Sequence, residues 1–352
     1  MAGSYIRKVS LIAYGDPPTP SGSGLAVPDA QASESSSVAS GSAANSPGLE
    51  LKDLRVQFQV NAMDTDAPPT AVIRVLNLAD STAMRIRKEF QKVTLQAGYE
   101  NGEFGVIFQG DIVRTRRGRL SNIDTFLDIM AANLDAIYNF GVVNKTLKSG
   151  SSQKDVLNAI GQSVNDSPLA KGSAGALAQG VQYGSIPTSA GTGGTLPRGK
   201  VLFGMWRDAL SDTADTLGCT WSIGADGRVN VIPLTGYLPD EAVVLTAQTG
   251  LVGIPEATPQ GIEVKCLLNP KIKVGTRIWL NNASLTTTVN KGAVGFPAYS
   301  DFQFFANTSD DGFYRVYVVE HEGDSRGDGA DWLTKIVALA VDSSSGKVAA
   351  YG

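Results

Sequence analysis

The chain has 352 residues, of which 18% are charged, against about 25% in typical soluble domains; its 39 glycines and 7% aromatic share point to β structure cut by many turns. Thirty basic against 34 acidic residues leave a net charge of −4, which argues against a protein that holds nucleic acid by broad electrostatics. One histidine and two cysteines exclude a multi-Cys/His zinc site and a disulfide-rich scaffold.

Residues 5–14 read as a strand. The apolar stretch 9–14 behind Arg7 and Lys8 is too short for a signal-peptide core, and Asp16 follows it directly. Residues 17–49 form a low-complexity insert whose only charges are Asp29 and Glu34. It has too little apolar surface to offset its ordering entropy, so a mobile excursion is expected. Leu54, Val56, Phe58 and Val60 then alternate with Arg55, Gln57 and Gln59, the period-two pattern of a strand with one buried face. A strand over 71–77 leads into a short helix with Asp80 or Ser81 as its expected N-cap. Strands over 92–99 and 104–114 flank a turn at Asn101-Gly102. In 123–138, Phe126, Ile129, Met130, Leu134 and Ile137 suit a helical stripe while the first half alternates. The expectation is a strand followed by a short helical turn.

A helix is expected over 155–164 behind Ser151 or Ser152, and a linker over 167–195. The interval between Lys171 and Arg198 carries no charge, but it is Gly-, Ser-, Thr- and Ala-rich, which argues against a membrane span. Residues 201–217 place Leu202, Trp206, Ala209, Leu210, Thr213 and Leu217 near one face and predict an amphipathic helix, ending at Gly218. The last third reads as β. Strands over 219–223 and 228–232 flank Asp226-Gly227, a pair suited to a tight hairpin with two positive-φ positions. Ile262, Val264, Cys266 and Leu268 alternate with Glu263 and Lys265. Residues 313–322 alternate with Phe313, Tyr317, Val319 and His321 on one face and Tyr314, Val316 and Val318 on the other, and 332–340 closes the set. The fold class is therefore mainly β with a few helices (α+β), with no β–α alternation long enough for a doubly wound sheet and no evident internal repeat.

No phosphate-binding glycine loop, nucleophile elbow or two-histidine metal motif is present. His321 is the one imidazole available as base or ligand, with Glu320, Glu322 and Asp324 able to orient it and Cys219 or Cys266 as a thiol partner. Nothing in the spacing brings a nucleophile to it, and a structural role is expected. The two cysteines could pair, but isolated cysteines read as small buried hydrophobes. Asp310-Asp311 and Asp324 with Asp328 are acidic pairs of the kind a glycosidase needs, yet both sit in sequences that read as turns. The calcium-loop ligand spacing is not met. Arg326-Gly327-Asp328 is a three-residue match to integrin-binding loops in a turn, with almost no specificity. Arg114, Arg116, Arg117 and Arg119 form the one basic cluster, expected at a hairpin tip, where a solvated loop competes with contact to a phosphate or an acidic partner. No catalytic, cofactor-binding or metal-binding residue is assigned, and the expectation is a non-enzymatic protein without cofactors.

Several stretches together resemble the baseplate hub proteins of bacteriophage tails, the family that includes the late-control-D-type hubs. The carriers are Leu54-Arg55-Val56-Gln57-Phe58, Ala71-Val72-Ile73-Arg74-Val75-Leu76-Asn77-Leu78, Val93-Thr94-Leu95-Gln96-Ala97-Gly98-Tyr99 and Ile107-Phe108-Gln109-Gly110. They continue with Pro197-Arg198-Gly199-Lys200 ahead of Trp206, Thr258-Pro259-Gln260-Gly261-Ile262 running into Cys266-Leu267-Leu268-Asn269-Pro270, then Tyr314-Arg315-Val316, His321-Glu322-Gly323-Asp324 and Trp332-Leu333-Thr334. The resemblance spans about residues 51–345 in order; the 17–49 segment departs from it.

The resemblance implies two tube-type β-barrel domains plus small connecting helical segments. It places a first tube-type domain over 1–148, carrying a flexible insert at 17–50. A helical connector with a flexible linker at 167–195 follows over 149–218, and a second β domain over 219–352. It also implies a homotrimer that links a tail tube or tube-initiator protein to a central spike among other baseplate proteins. Phage DNA would pass through the lumen without specific binding. The implied location is the virion tail baseplate, assembled in the host cytoplasm, and the lean is to a contractile tail. The arginine cluster would face an acidic neighbour in the assembly. The competing reading is a tail-associated cell-wall-degrading enzyme resting on His321 and scattered acidic residues; an extracellular adhesin using Arg326-Gly327-Asp328 is weaker.

Overall fold

A computed structural model of the protein describes residues 6–15, 48–167, 181–192, 194–246, 248–258, 261–280, 312–327, 332–341 and 348. The 17–49 insert lies almost wholly outside them, as do Asp310, Asp311 and Asp328. Among the described residues there are eighteen strands and five helices. The first part contains β1 (Arg7–Gly15), β2 (Leu49–Leu51), β3 (Val56–Met63), β4 (Thr70–Leu76), α1 (Asp80–Glu89), β5 (Phe90–Tyr99), β6 (Phe104–Arg119) and β7 (Thr125–Ala132). The middle contains α2 (Asp135–Phe140), β8 (Val142–Leu147), α3 (Gln153–Asn165), β9 (Gln182–Tyr183), α4 (Ser189–Thr192), β10 (Lys200–Met205), α5 (Trp206–Thr216), β11 (Cys219–Ile223) and β12 (Arg228–Pro233). The last part contains β13 (Val243–Leu245), β14 (Leu251–Thr258), β15 (Gly261–Leu267), β16 (Arg277–Leu280), β17 (Phe313–Asp324) and β18 (Trp332–Ala340).

The fold is mainly β, and its main sheet runs β14-β15-β18-β17-β3-β4-β7-β6-β5-β1-β2. Every pairing along this path is antiparallel. Pairing among the described residues forms an open run, not closed barrels. Within it lies a repetition that the sequence hides. A hairpin (β3–β4) and a later hairpin (β6–β7) lie in the order first, second, fourth, third. The hairpins β14–β15 and β17–β18 lie in the same order. The two four-stranded units join edge to edge where β17 pairs β3, from Val318↔Met63 to Asp324↔Gln57.

Three apolar clusters underlie this arrangement. The first packs Val56, Phe58, Val60, Ile73, Val75, Leu127 and Ile129 of the first unit against β1, β5 and Ile86 of α1. The third lies beneath the second unit around Val264, Cys266, Val316, Val319 and Ile336. The clusters interlock: Trp332 and Leu268 belong to the first, and Ala62 of β3 belongs to the third. Trp332 meets Phe58 edge-on with ring centroids 5.3 Å apart, a favoured aromatic geometry, and Arg7 lies 5.6 Å from its ring. The second cluster gathers α3, α5, β8, β10, β11 and β12 around Trp206 and Trp221, whose rings stand edge-on at 5.4 Å.

Several expectations hold and several change. Ser152 caps α3 in a reciprocal capping box with Asp155. Gly218 ends α5 at φ +64°, a conformation cheap only for glycine. At α1, however, the N-cap is Ala79, with no side-chain cap; Asp80 lies inside the first turn and binds Arg117. The 201–217 stretch divides into β10 and α5. Leu202 is buried between the exposed Val201 and Phe203, which is strand alternation. Leu202 lies four residues before Trp206, so it falls in phase with the helix face and disguises the break. At Asp226-Gly227 only Gly227 has positive φ, and the hairpin closes through Gly224, whose N–H reaches the Arg228 carbonyl. In β17 a bulge between Val316 and Val318 shifts the phase, so Tyr314, Val316, Val319 and His321 are all buried. Of the 167–195 interval, Val181 and Ala190 are buried in the second cluster.

A buried ion pair ties the units together. Asp64, just past β3, meets the guanidinium of Arg315 on β17, and both side chains are 3% exposed. Arg315 also donates to the Leu234 carbonyl at 3.1 Å, and the Asp64 N–H donates to the Tyr317 carbonyl at 2.9 Å. Burial raises the Asp64 pKa, opposed by Arg315 and by the facing hydroxyls of Ser222 and Thr220 on β11, neither of which reaches full hydrogen-bond geometry. Removing one partner strands a buried charge. Asp64→Ala is expected to cost about 3–5 kcal/mol in denaturant unfolding, whereas Asp64→Leu with Arg315→Met is expected to recover most of that loss.

Candidate functional site

The pairing register puts a continuous polar face on the side of the two units opposite their apolar clusters. Arg116 opposes Asp128, Asp128 opposes Arg74, Arg74 opposes Gln57 and Gln57 opposes Asp324. One row thus crosses β6, β7, β4, β3 and β17, because directly opposed residues share a face. Further along, Glu320 opposes Lys335 and Lys335 opposes Lys265.

Ion pairs run along this face. Asp128 is 1% exposed. It receives Arg74 Nε on Oδ1 at 2.7 Å and Arg116 Nη2 on Oδ2 at 2.7 Å. Burial opposes its ionisation, but the bonds from both arginines prevail and hold its pKa below the ordinary value. The two guanidiniums flank the Phe126 ring at 4.6 and 5.6 Å. Gly118 makes room for that ring: a Cβ there would fall 2.7 Å from Phe126. Asp324 accepts from Arg55 Nη2 at 2.7 Å, Gln57 Nε2 at 2.8 Å and the Arg326 N–H at 3.0 Å. Against the burial that opposes ionisation, these bonds bring its pKa down to about 2. Lys335 reaches Glu322 at 2.6 Å and Glu320 at 3.9 Å, and Gln59 Nε2 donates to Glu320 at 2.6 Å. Two shallow depressions on this face, about 300 and 250 Å³, are lined by Glu256, Lys265, Glu320 and Lys335 and by Gln57, Arg74 and Glu322 respectively.

The arginine cluster lies within the long strand β6, with the hairpin tip beyond it at 120–124, where the Leu120 N–H reaches the Asp124 carbonyl. Strand alternation divides it. Arg114 and Arg116 oppose Met130 and Asp128 on the polar face, while Arg117 opposes the core residue Leu127 and binds Asp80 of α1. Arg119 shares the side of Arg117. Arg114, Arg116 and Arg119 are exposed. The sequence cluster therefore faces two ways, and no single basic patch results.

His321 is buried, and its Nδ1 lies 2.9 Å from Thr334 Oγ1. Across the sheet Thr334 opposes Cys266, so histidine and thiol flank one threonine inside the core. Burial lowers the His321 pKa to about 4 and pushes the Cys266 thiol up to about 12. Both stay neutral, which suits packing and not nucleophilic chemistry. Cys219 and Cys266 are both free and buried. Asp324 is saturated by donors, which leaves it unsuited to proton transfer. Among the described residues no group of three or more His, Cys, Asp or Glu side chains could hold a metal ion, and no helix is long and apolar enough to cross a membrane.

Sequence reading missed the ladder around Asp128 and the Asp64–Arg315 pair. The available signal was a charge inside an apolar strand, as with Arg74, Asp128 and Arg315. The partners, 54 and 251 residues away, were not visible.

The depressed His321 pKa has a signed consequence. Between about pH 6.5 and 4 the unfolded chain binds a proton there and the native state does not, so stability falls as pH drops through that window. The loss is on the order of 3 kcal/mol. Chemical denaturation at stepped pH is expected to show it in the wild type and a shallower slope in His321→Gln.

No protein-family model matches the chain, and no curated protein matches it. Solved structures are similar to it at low identity. The 43 kDa tail protein of prophage MuSo2 from Shewanella oneidensis is 6% identical, with 83% of this chain and 95% of that one covered at a TM-score of 0.49. The tail protein from Neisseria meningitidis MC58 is 10% identical, with 83% and 93% covered at a TM-score of 0.49. The E. coli c3393 protein, a type VI secretion component with structural similarity to the T4 tail proteins gp27 and gp5, is 9% identical, with 85% and 76% covered at 0.45.

Proposed function

We propose that the chain is a structural protein of a phage-type tail baseplate: a hub whose three copies form a ring between a tail tube and a central spike, around a channel for the genome. The observation that carries this reading is the tandem pair of four-stranded units with one strand order, fused at β17 and β3. Three copies of such a chain present six near-equivalent units, so one ring can meet a threefold spike on one side and a sixfold tube on the other. The ordered series of hub-like motifs from residue 51 onward supports the same reading.

The polar face supplies a fitting channel wall. Arg74 and Arg116 share Asp128, Arg55 pairs with Asp324, and Lys335 pairs with Glu322 and Glu320, so four cations face four carboxylates. A polyanion sliding past meets paired charges, not a basic strip that would hold it. On this reading the protein acts in the virion tail after assembly in the host cytoplasm, without catalysing a reaction. Among the described residues His321 is buried beside Thr334 and Asp324 is tied to Arg55, which weighs against the cell-wall-enzyme alternative.

Light scattering coupled to gel filtration tests the reading. The expected mass is that of a trimer, alone or with the spike protein present; a strict monomer that ignores both tube and spike proteins overturns it. The neutral wall makes its own prediction. Asp128→Asn leaves Arg74 and Arg116 without a counter-charge and is expected to move elution from heparin to higher salt than the wild type.

A further inference from the structure

The two ends of the eight-stranded run are both open edges. At one end, β14 has β15 as its one strand partner among the described residues. At the other, residues 104–111 of β6 pair with β5, whereas residues 112–119 have β7 as their one strand partner among the described residues. Unpaired edges of this length expose a row of backbone donors and acceptors that favour another strand. Within one chain these edges lie at opposite ends of the run and do not pair with each other. They are also different surfaces of one molecule, as a head-to-tail contact between copies requires.

The seam inside the chain shows what such a contact would look like. The strands of the two units can be matched by register. Both third strands carry a bulge, at 112–114 in β6 and at 316–318 in β17. Past the bulge, Arg114 and Val318 correspond, then Arg116 and Glu320. Their opposed residues on β7 and β18 are Met130 and Val337, then Asp128 and Lys335. One strand further, Val72 opposes Met130 and Glu263 opposes Val337. One more strand along, Gln59 opposes Val72 and Glu256 opposes Glu263. Gln59 of the first unit therefore corresponds to Glu256 of the second. In the seam where β17 pairs β3, Gln59 hydrogen-bonds Glu320 at 2.6 Å. The corresponding residues at the two open edges are Glu256 on β14 and Arg116 on β6, and they carry opposite charges.

We infer that the subunit seam forms between residues 112–119 of β6 in one copy and β14 of the next, with Arg116 and Glu256 paired across it on the polar face. This rests on the ring reading above and adds the surfaces that close it. The side chain of Arg116 is 55% exposed although it already binds Asp128. Glu256 is exposed and has no ion pair among the described residues, so the new pair extends the ladder from one copy into the next. The inference also gives a partner to part of the basic cluster: Arg116 directly, and Arg114 one position along on the same side.

Charge reversal and cross-linking in the full chain test it. Glu256→Arg is expected to raise the dissociation constant of the assembled trimer about tenfold or more, by setting like charges against each other, and Arg116→Glu in the same chain is expected to recover most of it. A short bis-maleimide is expected to join Arg116→Cys to Glu256→Cys between copies and to join neither single variant. If the wild type is trimeric but Glu256→Arg assembles normally and the double-cysteine chain does not cross-link, the seam is elsewhere and the ring reading survives. If the wild type stays monomeric with tube and spike proteins present, the ring reading fails and the seam with it. Should Arg116→Glu unfold the chain through its contact with Asp128, Glu256→Arg and the cross-link still decide.

Discussion

A β-strand is only half satisfied by its own chain, and the need to pair the other half of its backbone governs this structure. Within the chain that requirement is met by joining two four-stranded units side by side. β17 and β3 are far apart in sequence, yet they exchange hydrogen bonds along seven opposed pairs. Once they do, their side chains must alternate in step, and the ion-paired residues fall on one surface while the apolar clusters fall on the other. The ion-pair ladder and the interlocked clusters follow from that registration. So does the presence of the guanidinium–carboxylate pair between Asp64 and Arg315 inside the protein.

The charges on the open surface are best understood as a mosaic. Asp324 pairs with Arg55 and Glu320 and Glu322 share Lys335, while Asp128 sits between bases from two different strands, Arg74 and Arg116. A carboxylate this deeply enclosed is tolerable because its oxygens are filled by donors. The arrangement holds the strands in one register and leaves the surface electrically quiet at short range. The same enclosure explains why Asp324, one of the acidic candidates in the sequence, has no free capacity for chemistry.

Much of the strand inventory was legible in the sequence because alternation is a local property. Val56, Phe58 and Val60 announce their face, and the 332–340 strand matches its boundaries. What remained hidden was non-local. The duplication is one of strand order, and the corresponding pairs Arg116–Asp128 and Glu320–Lys335 have reversed signs, so no residue-by-residue similarity survives to be read. The bulge at 316–318 adds one residue and exchanges faces midway, which a simple period-two count cannot foresee. In 201–205, a strand borrowed the phase of the helix behind it through Leu202. The arginine cluster was visible as composition, but its division between two sides of β6 depended on knowing that β6 continues straight through it.

Trp332 and Leu268 come from the second unit and sit in the apolar cluster of the first, while Ala62 makes the reverse crossing. Neither half therefore owns a complete interior, and cutting the chain between them would leave each with an open wound of apolar surface. The two units are thus joined through a shared interior as well as through the strand seam.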